Sequence, residues 1–198
     1  MKKNLHCQKW LKNDLPKRYT YFKNYYDLLN TTHKKILDIG GALTTFTRLL
    51  CESHDYTLCE ILNFNKKKEL EKFKNLKILN GDWINQKFQN YDLIISNDLF
   101  PNADQRLELF LIKALPHCKT LRFTLTVDND NNYYVTKRID QEEILTLKRV
   151  SGENLYNLFL KFNFDLNHHH YNKLVFNRMS LWNNNRQVFF VELKGFLK

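Results

Sequence analysis

The segment "KKILDIGGALTTFTRLL" (residues 34–50) decides the fold class of this chain. Its aliphatic residues surround Asp38 and are followed by two glycines, Gly40 and Gly41, and then by Ala42. The residues after this turn have the spacing of a helix. A strand that ends in a glycine turn and opens a helix is typical of a site for a nucleotide-like cofactor, because glycine lets the backbone approach the ligand closely.

Strand-like and helix-like segments alternate along most of the chain. Predicted strands cover residues 34–39, 56–62, 76–83, 91–100 and 120–127, and predicted helices cover residues 18–30, 43–52, 65–74 and 103–115. The centre of segment 91–100 is continuously apolar, which is typical of a strand buried on both faces. This alternation predicts a parallel sheet with helices on both faces.

The pattern changes near the end of the chain. A helix is predicted over residues 151–162 with Ser151 as its N-cap, and two strand-like segments then flank an Asn-rich turn, which predicts an antiparallel hairpin. We therefore expect a single α/β domain over residues 1–198, with a Rossmann-like open sheet that is mostly parallel and ends in this hairpin. Its expected parts are an N-terminal helical cap (1–33), a cofactor-binding core (34–127), an insert of unassigned structure (128–150), and a helix with the terminal hairpin (151–198).

Composition narrows the class of protein. The 198 residues are enough for one domain with a substantial core, and no apolar run approaches the roughly 20 residues of a membrane span. The basic N-terminus has no apolar stretch typical of a secretory signal, so we expect a cytoplasmic protein. No two of the four cysteines are closely spaced, which predicts neither a metal site nor a disulfide framework.

The formal net charge of +10 is the main argument for a nucleic-acid partner. Lysine and asparagine are frequent throughout the chain, however, and local runs such as residues 65–77 mix both signs of charge as a solvated helix does. Charge alone therefore supports nucleic-acid binding only weakly.

The glycine turn does not match a dinucleotide fingerprint. In G-x-G-x-x-G counted from Gly40, the second and third glycines would stand where this chain has Ala42 and Thr45. A nicotinamide or flavin cofactor is therefore not favoured.

The chain instead resembles the class I S-adenosylmethionine-dependent methyltransferases over residues 34–127, and the terminal hairpin extends the resemblance to the C-terminus. "LDIGGALTTF" is similar to the first motif of that family, an acidic residue followed by G-x-G-x-G. Glu60 closes the second strand, Asp82 follows the third in "NGDW", and "YDLIISNDLF" is similar to the fourth motif. These features occur in the family's order.

The resemblance implies S-adenosylmethionine as cofactor and S-adenosylhomocysteine as product. It implies that Glu60 takes the two ribose hydroxyls, that Asp82 contacts the adenine amino group, and that the end of the fourth strand faces the transferable methyl group. A carboxylate can accept two charge-assisted hydrogen bonds from a diol, and acidic Asp38 suits the cationic methionine portion. The cofactor residues expected in this way are Asp38, Gly40, Gly41, Ala42, Glu60, Ile61, Asp82, Trp83 and Asn97.

The chain departs from the family motif at two positions. Ala42 and Thr44 stand where the family usually has its second and third glycines, and a threonine side chain at the turn is expected to crowd the cofactor. This departure favours the alternative of a methyltransferase-like fold that has lost transfer and serves as a binding or scaffold subunit. The acidic residues that the chain retains favour the enzyme.

Asp98, after the fourth strand, is the predicted base or acceptor-orienting residue, with a turn or helix N-cap as the alternative. The proline pair of amino-methylating DNA enzymes is absent from "SNDLFP", and no cysteine follows a proline as in cytosine C5 enzymes. The favoured acceptor is a hydroxyl or amine of a small, for example phosphorylated, metabolite or glycan precursor, and a nucleic acid is the third hypothesis. The candidate acceptor residues are Tyr19, Tyr133 and His117.

Overall fold

The computed structural model describes residues 22–61, 73, 75–101, 104–128, 132–138, 143–162, 164, 179–180 and 187–198. Three features considered from the sequence lie outside these residues: Tyr19, most of the predicted helix 65–74, and the histidine run 168–170. For the histidine run, the sequence leaves open a metal site, a pair of general bases or a polar strand edge.

In the described residues the predicted strands and helices follow the predicted order, and the insert 128–150 adds two strands that were not predicted. The strands are β1 (Lys35–Ile39), β2 (Asp55–Glu60), β3 (Lys77–Asn80), β4 (Tyr91–Asn97), β5 (Cys118–Val127), β6 (Tyr133–Arg138), β7 (Glu143–Lys148), β8 (Met179–Ser180) and β9 (Gln187–Lys194). The α-helices are α1 (Lys23–Leu29), α2 (Thr45–Ser53), α3 (Leu107–Ala114) and α4 (Gly152–Lys161), and short 3₁₀ helices cover Trp83–Asn85 and Leu115–His117.

The main sheet has seven strands in the order β3-β2-β1-β4-β5-β9-β8. β1 pairs in parallel with β2 and with β4, β2 pairs in parallel with β3, and β8 pairs antiparallel with β9. The predicted fold class, a mostly parallel open sheet with a C-terminal antiparallel pair, is therefore confirmed. Because the chain runs outward from β1 to β3 and returns as β4 on the other side of β1, the switch point lies between β1 and β4.

Buried aliphatic side chains explain why β1 and β4 occupy the centre of the sheet. Ile36 and Leu37 of β1 and Ile94 and Ile95 of β4 are inaccessible to solvent. A strand covered on both faces buries every residue, so an uninterrupted apolar run is favoured over alternation. The expectation that segment 91–100 contains such a strand is confirmed.

The insert contains an antiparallel pair of strands. β6 and β7 form a separate two-stranded sheet, in register from Tyr133 opposite Lys148 to Arg138 opposite Glu143. The side chains of Tyr133, Val135 and Ile144 are exposed. At these three positions burial does not select apolar residues, so hydrophobic alternation does not reveal the strands there.

Contacts between residues divide the chain into two compact units. Unit 1 comprises residues 1–97, 110–123 and 192–198, and unit 2 comprises residues 98–109 and 124–191. Unit 1 contains β1 to β4 with α1 and α2. The organisation of residues 1–198 as a single domain stays a prediction. No helix in the described part of the chain is both long and apolar enough to span a membrane.

Candidate functional site

The carboxyl ends of four parallel strands meet at one edge of unit 1. Ile39, the last residue of β1, is in register with Cys59 of β2 and with Ser96 of β4, and Glu60 is in register with Asn80 of β3. Gly40, Glu60 and Asn97, three of the predicted cofactor residues, therefore lie side by side at this edge. Ligands of open α/β sheets bind at such an edge, next to the switch point.

The turn after β1 is shaped by two glycines with different requirements. Gly40 has a φ of +72° and donates its N–H to the carbonyl of Cys59 at 2.9 Å. A Cβ at Gly41 would overlap the carboxyl group of Asp38. Gly40 therefore supplies a left-handed backbone, and Gly41 supplies space over Asp38.

Glu60 is connected to this turn by a hydrogen bond. Its Oε2 accepts from the N–H of Ala42 at 3.1 Å, and its Oε1 accepts from the N–H of Ile61 at 3.0 Å. The turn thus fixes the orientation of the Glu60 carboxylate at the place where the resemblance expects the ribose diol.

Asp38 lies beneath the turn and is 0% exposed. The hydroxyl of Tyr56 donates to Oδ2 of Asp38, and Oδ1 of Asp38 has no hydrogen-bond partner among the described residues. Burial raises the pKa of Asp38 to about 7, the hydroxyls of Tyr56 and Tyr25 lower it, and the charge of Glu60 raises it. The two tyrosines were not predicted from the sequence, because an aromatic residue in an apolar pattern indicates core packing.

Thr44, which replaces a family glycine, caps helix α2. Its side chain accepts from the N–H of Thr47 at 3.2 Å, and the Thr47 hydroxyl accepts from the N–H of Thr44 at 3.1 Å, which completes a capping box. The Thr47 hydroxyl also donates to the carbonyl of Ala42 at 2.7 Å. The threonine therefore has a structural reason to stand at this position.

The residues expected at the adenine differ in exposure. Asp82 caps a 3₁₀ helix, and its Oδ1 accepts from the N–H of Ile84 at 3.2 Å. Trp83 is 4% exposed and packs edge-on against Phe110, with 5.5 Å between the ring centroids. Ile61 is 72% exposed and offers the apolar surface at this point.

Asp98 begins unit 2, directly after Asn97. Its φ is +55°, its N–H donates to the carbonyl of Thr124 at 3.0 Å, and its Oδ1 accepts from the hydroxyl of Thr126. The carboxylate is thus held in one orientation by β5. Tyr133, also in unit 2, is 69% exposed on β6.

His117 lies at the opposite edge of the sheet from the glycine turn. Asp92, near the start of β4, accepts from the N–H of Lys35 at the start of β1 at 3.0 Å and pairs with Lys119 at the start of β5 at 3.2 Å. The amino ends of these three strands share one edge, and His117 immediately precedes β5. The structure does not bring His117 together with Glu60. We leave His117 out of the proposed site.

In the described part of the chain, no group of His, Cys, Asp or Glu side chains is arranged to hold a metal ion.

Comparison with known proteins identifies the fold. No protein-family model and no curated protein matches the chain. A Listeria monocytogenes protein assigned as an S-adenosylmethionine-dependent methyltransferase superimposes with a TM-score of 0.61 at 9% identity, over 92% of this chain and 99% of that one. The DhpI–SAM–HEP complex superimposes with a TM-score of 0.57 at 12% identity, over 79% of each chain.

A third similar structure is 1,6-didemethyltoxoflavin-N1-methyltransferase from Burkholderia thailandensis, solved with its substrate and S-adenosylhomocysteine. Its TM-score is 0.53 at 13% identity, over 79% of this chain and 70% of that one. The chain therefore has the fold of the class I S-adenosylmethionine-dependent methyltransferases. The resemblance seen in the sequence is confirmed for the fold.

Proposed function

We propose that this chain is an S-adenosylmethionine-dependent methyltransferase that acts on a hydroxyl or amine of a small molecule in the cytoplasm. The hydrogen bond from the N–H of Ala42 to Glu60 at 3.1 Å carries the proposal. It joins the glycine turn and the carboxylate expected at the ribose into one preformed arrangement. Structures that share this fold hold S-adenosylmethionine or S-adenosylhomocysteine.

The residues at the sheet edge fit this cofactor in three respects. Glu60 is a carboxylate oriented by the glycine turn, as the ribose diol requires. Exposed Ile61 offers an apolar surface for the adenine, and Asp38 places a carboxyl group under the turn for the cationic portion. Bound S-adenosylmethionine would supply a methyl group on a sulfonium that is open to in-line displacement. Asn97 ends β4 at the same edge and is the residue we assign to the neighbourhood of that methyl group.

The remaining task of the protein is to align the nucleophile and exclude water. We assign Asp98 to this task, as a base for a hydroxyl acceptor or as an orienting group for an amine. Its carboxylate is held by the hydroxyl of Thr126, so its orientation is fixed before any acceptor binds. Such preorganisation lowers the entropy lost when the acceptor is positioned.

A groove in unit 2 supports an acceptor of small size. Its volume is about 460 Å³, within the range of small-molecule sites. Leu107, Val150 and Leu155 contribute apolar lining. Lys161 forms an ion pair with Glu108 of the same lining at 3.3 Å, and Lys148 contributes the positive charge that supports an anionic acceptor. Coclaurine N-methyltransferase, of the same fold at a TM-score of 0.52 and 15% identity, was solved with the small molecule N-methylheliamine.

Calorimetric titration with S-adenosylmethionine and S-adenosylhomocysteine tests the proposal. We expect micromolar binding that Glu60→Ala weakens at least about tenfold, because hydrogen bonds to a charged group contribute about 1.5–3 kcal/mol each. The control is Glu52→Ala, the same change at an exposed position of α2, which should leave the affinity unchanged.

The opposite outcome is equally clear. The absence of binding heat, together with no thermal shift at about 100-fold excess of ligand over a micromolar Kd, where about 2.7 kcal/mol of stabilisation is expected, would overturn the proposal. The alternative of a scaffold subunit that has lost transfer would then be favoured.

A further inference from the structure

A cluster of buried polar side chains lies directly under the glycine turn. Asp38 is in the middle of the cluster, and the absence of a Cβ at Gly41 leaves room for its carboxyl group. The hydroxyl of Tyr56, from β2, donates to Oδ2 of Asp38, and Tyr25, from α1, acts on the same carboxyl group. Oδ1 of Asp38 is inaccessible to solvent and has no hydrogen-bond partner among the described residues.

Packing fixes both tyrosines. The ring of Tyr25 stacks on the ring of Phe46 in α2, with 5.2 Å between centroids and an interplanar angle of 11°. The ring of Phe22 also packs against Phe46, at 5.2 Å between centroids. Tyr56 is completely buried within β2 and pairs in register with Ile36 of β1. The positions of the two hydroxyls are therefore set by the core, and they constrain the carboxyl group in turn.

Among the described residues, Oδ1 of Asp38 has no partner in either protonation state. If the carboxyl group is neutral, with Oδ2 accepting from Tyr56, the proton on Oδ1 has no acceptor among the described residues. If it is ionised, the charge on Oδ1 has no donor. A buried polar group of this kind is unfavourable. A cation bound over the turn stabilises the ionised carboxylate by Coulomb attraction, without a direct contact to the buried Oδ1.

We propose that Tyr56 and Tyr25 are positioning residues of the cofactor site. Burial under the turn keeps a proton on Asp38 in the free protein, and the two hydroxyls orient its carboxyl group and favour the loss of that proton when the cationic cofactor binds. In this step the O–H bond of the carboxyl group breaks, the proton passes to solvent, and the electron pair stays on Oδ1. The resulting negative charge faces the ammonium and sulfonium charges of the ligand. The inference rests on the proposed function, because it assumes that S-adenosylmethionine occupies the turn.

The surroundings of Asp38 give the sign of the pH dependence. The groups that face it are Tyr56 and Glu60 from β2 and Tyr25 from α1, and burial with the charge of Glu60 outweighs the two hydroxyls to raise the pKa of Asp38 from 3.8 to about 7. A carboxyl group with a raised pKa holds its proton more tightly in the folded than in the unfolded state. Between about pH 4 and 7 the folded protein should therefore lose stability as the pH rises. A bound cation reverses the shift, so cofactor affinity should increase through the same range.

Calorimetry in two buffers of different ionisation enthalpy measures the proton directly. At pH 7 the wild-type protein should release about half a proton when S-adenosylmethionine binds, because a group at its pKa is half protonated. Asp38→Asn should lose this release. The variant also serves as the reference for protons that the ligand itself releases, because α-amino groups have pKa values of about 7.7–8.0, close to the pH of the measurement.

Tyr56→Phe separates positioning from mere structure. Loss of the donor should raise the pKa of Asp38, so proton release at pH 7 should increase toward one. Affinity should fall about fivefold for the first unit of pKa increase and about tenfold for each further unit. At pH 9 the affinity should return to that of the wild type. Tyr91→Phe, which also removes a buried hydroxyl but at the start of β4, should change neither quantity. If Tyr56→Phe does not fold, Tyr25→Phe makes the same test.

Four outcomes would overturn the inference, and they can be distinguished. Binding of S-adenosylmethionine without proton release, or a loss of affinity in Tyr56→Phe that is equal at every pH, would contradict this inference alone. The melting temperature of the free wild-type protein can also be compared with that of Asp38→Asn between pH 5 and 8. If both proteins show the same pH dependence, Asp38 does not have a raised proton affinity in the free protein. Failure of the wild type to bind at any pH would overturn the proposed function as well.

Discussion

Three consecutive residues of the turn after β1 meet three different steric demands. Gly40 has a left-handed backbone, Gly41 lies too close to Asp38 for any side chain, and Ala42 has a φ of +55° despite its Cβ. A left-handed conformation costs an alanine roughly 1–2 kcal/mol. Ala42 adopts this unfavourable conformation, and in it the Ala42 N–H donates the hydrogen bond that orients Glu60.

Replacement of Ala42 by glycine should relieve that strain. We expect Ala42→Gly to raise the free energy of unfolding by up to about 1 kcal/mol, since the relief exceeds the roughly 0.5–1 kcal/mol of extra chain entropy that glycine brings to the unfolded state. Urea denaturation measures the difference. Ala114→Gly, at a right-handed position with a φ of −81°, should destabilise the protein. Equal destabilisation by both substitutions would show that the turn is not strained.

Among the site residues, the sequence indicated the acidic side chains but not the hydroxyls around them. Asp38 and Glu60 stand at fixed places relative to predicted strand ends, so their positions follow from the order of elements. Tyr25 and Tyr56 contact Asp38 from a helix and a neighbouring strand. Their tyrosine hydroxyls carry no pattern in sequence, because each side chain also fits an ordinary apolar core position.

At the scale of elements, strand centres were predictable and strand ends were not. β4 was expected to continue to residue 100 but ends at Asn97, where the left-handed Asp98 stops the extended backbone. β3 was expected to continue to residue 83 but ends at Asn80, before Gly81 with a φ of +123°. Both ends depend on backbone angles that hydrophobic periodicity does not report.

The N-terminus of α2 raises the question of whether Thr44 crowds the cofactor. Thr44→Ala should lower the free energy of unfolding by about 1 kcal/mol, because the N-cap is lost, whereas Thr44→Gly should lower it by only a few tenths. The capping box turns the threonine side chain toward the N–H of Thr47, so we expect both variants to bind S-adenosylmethionine within about twofold of the wild type. Calorimetry alongside urea denaturation gives both quantities. Tighter binding by Thr44→Gly alone would show that the side chain obstructs the ligand.

At the scale of the whole molecule, the predicted cofactor residues belong to unit 1, while Asp98 and the groove belong to unit 2. This distribution explains why a cofactor could be predicted from the sequence and an acceptor could not. The cofactor residues follow strand ends whose order the fold fixes. The groove is lined by α4 and by residues such as Pro101, Gln105 and Leu107, whose identities do not follow from the order of strands.

The same distribution separates binding from turnover. Asp98→Asn should keep the fold, because asparagine tolerates a left-handed backbone and still accepts a hydrogen bond from Thr126. If Asp98 is the base, S-adenosylhomocysteine formation with a panel of small alcohols and amines should fall about 10²–10⁴-fold, while the affinity for S-adenosylmethionine in unit 1 stays unchanged. Asp27→Asn, at an ion pair of α1, should alter neither quantity. Formation at the wild-type rate in Asp98→Asn would show that Asp98 is not the base and has only the turn role that its left-handed backbone also fits.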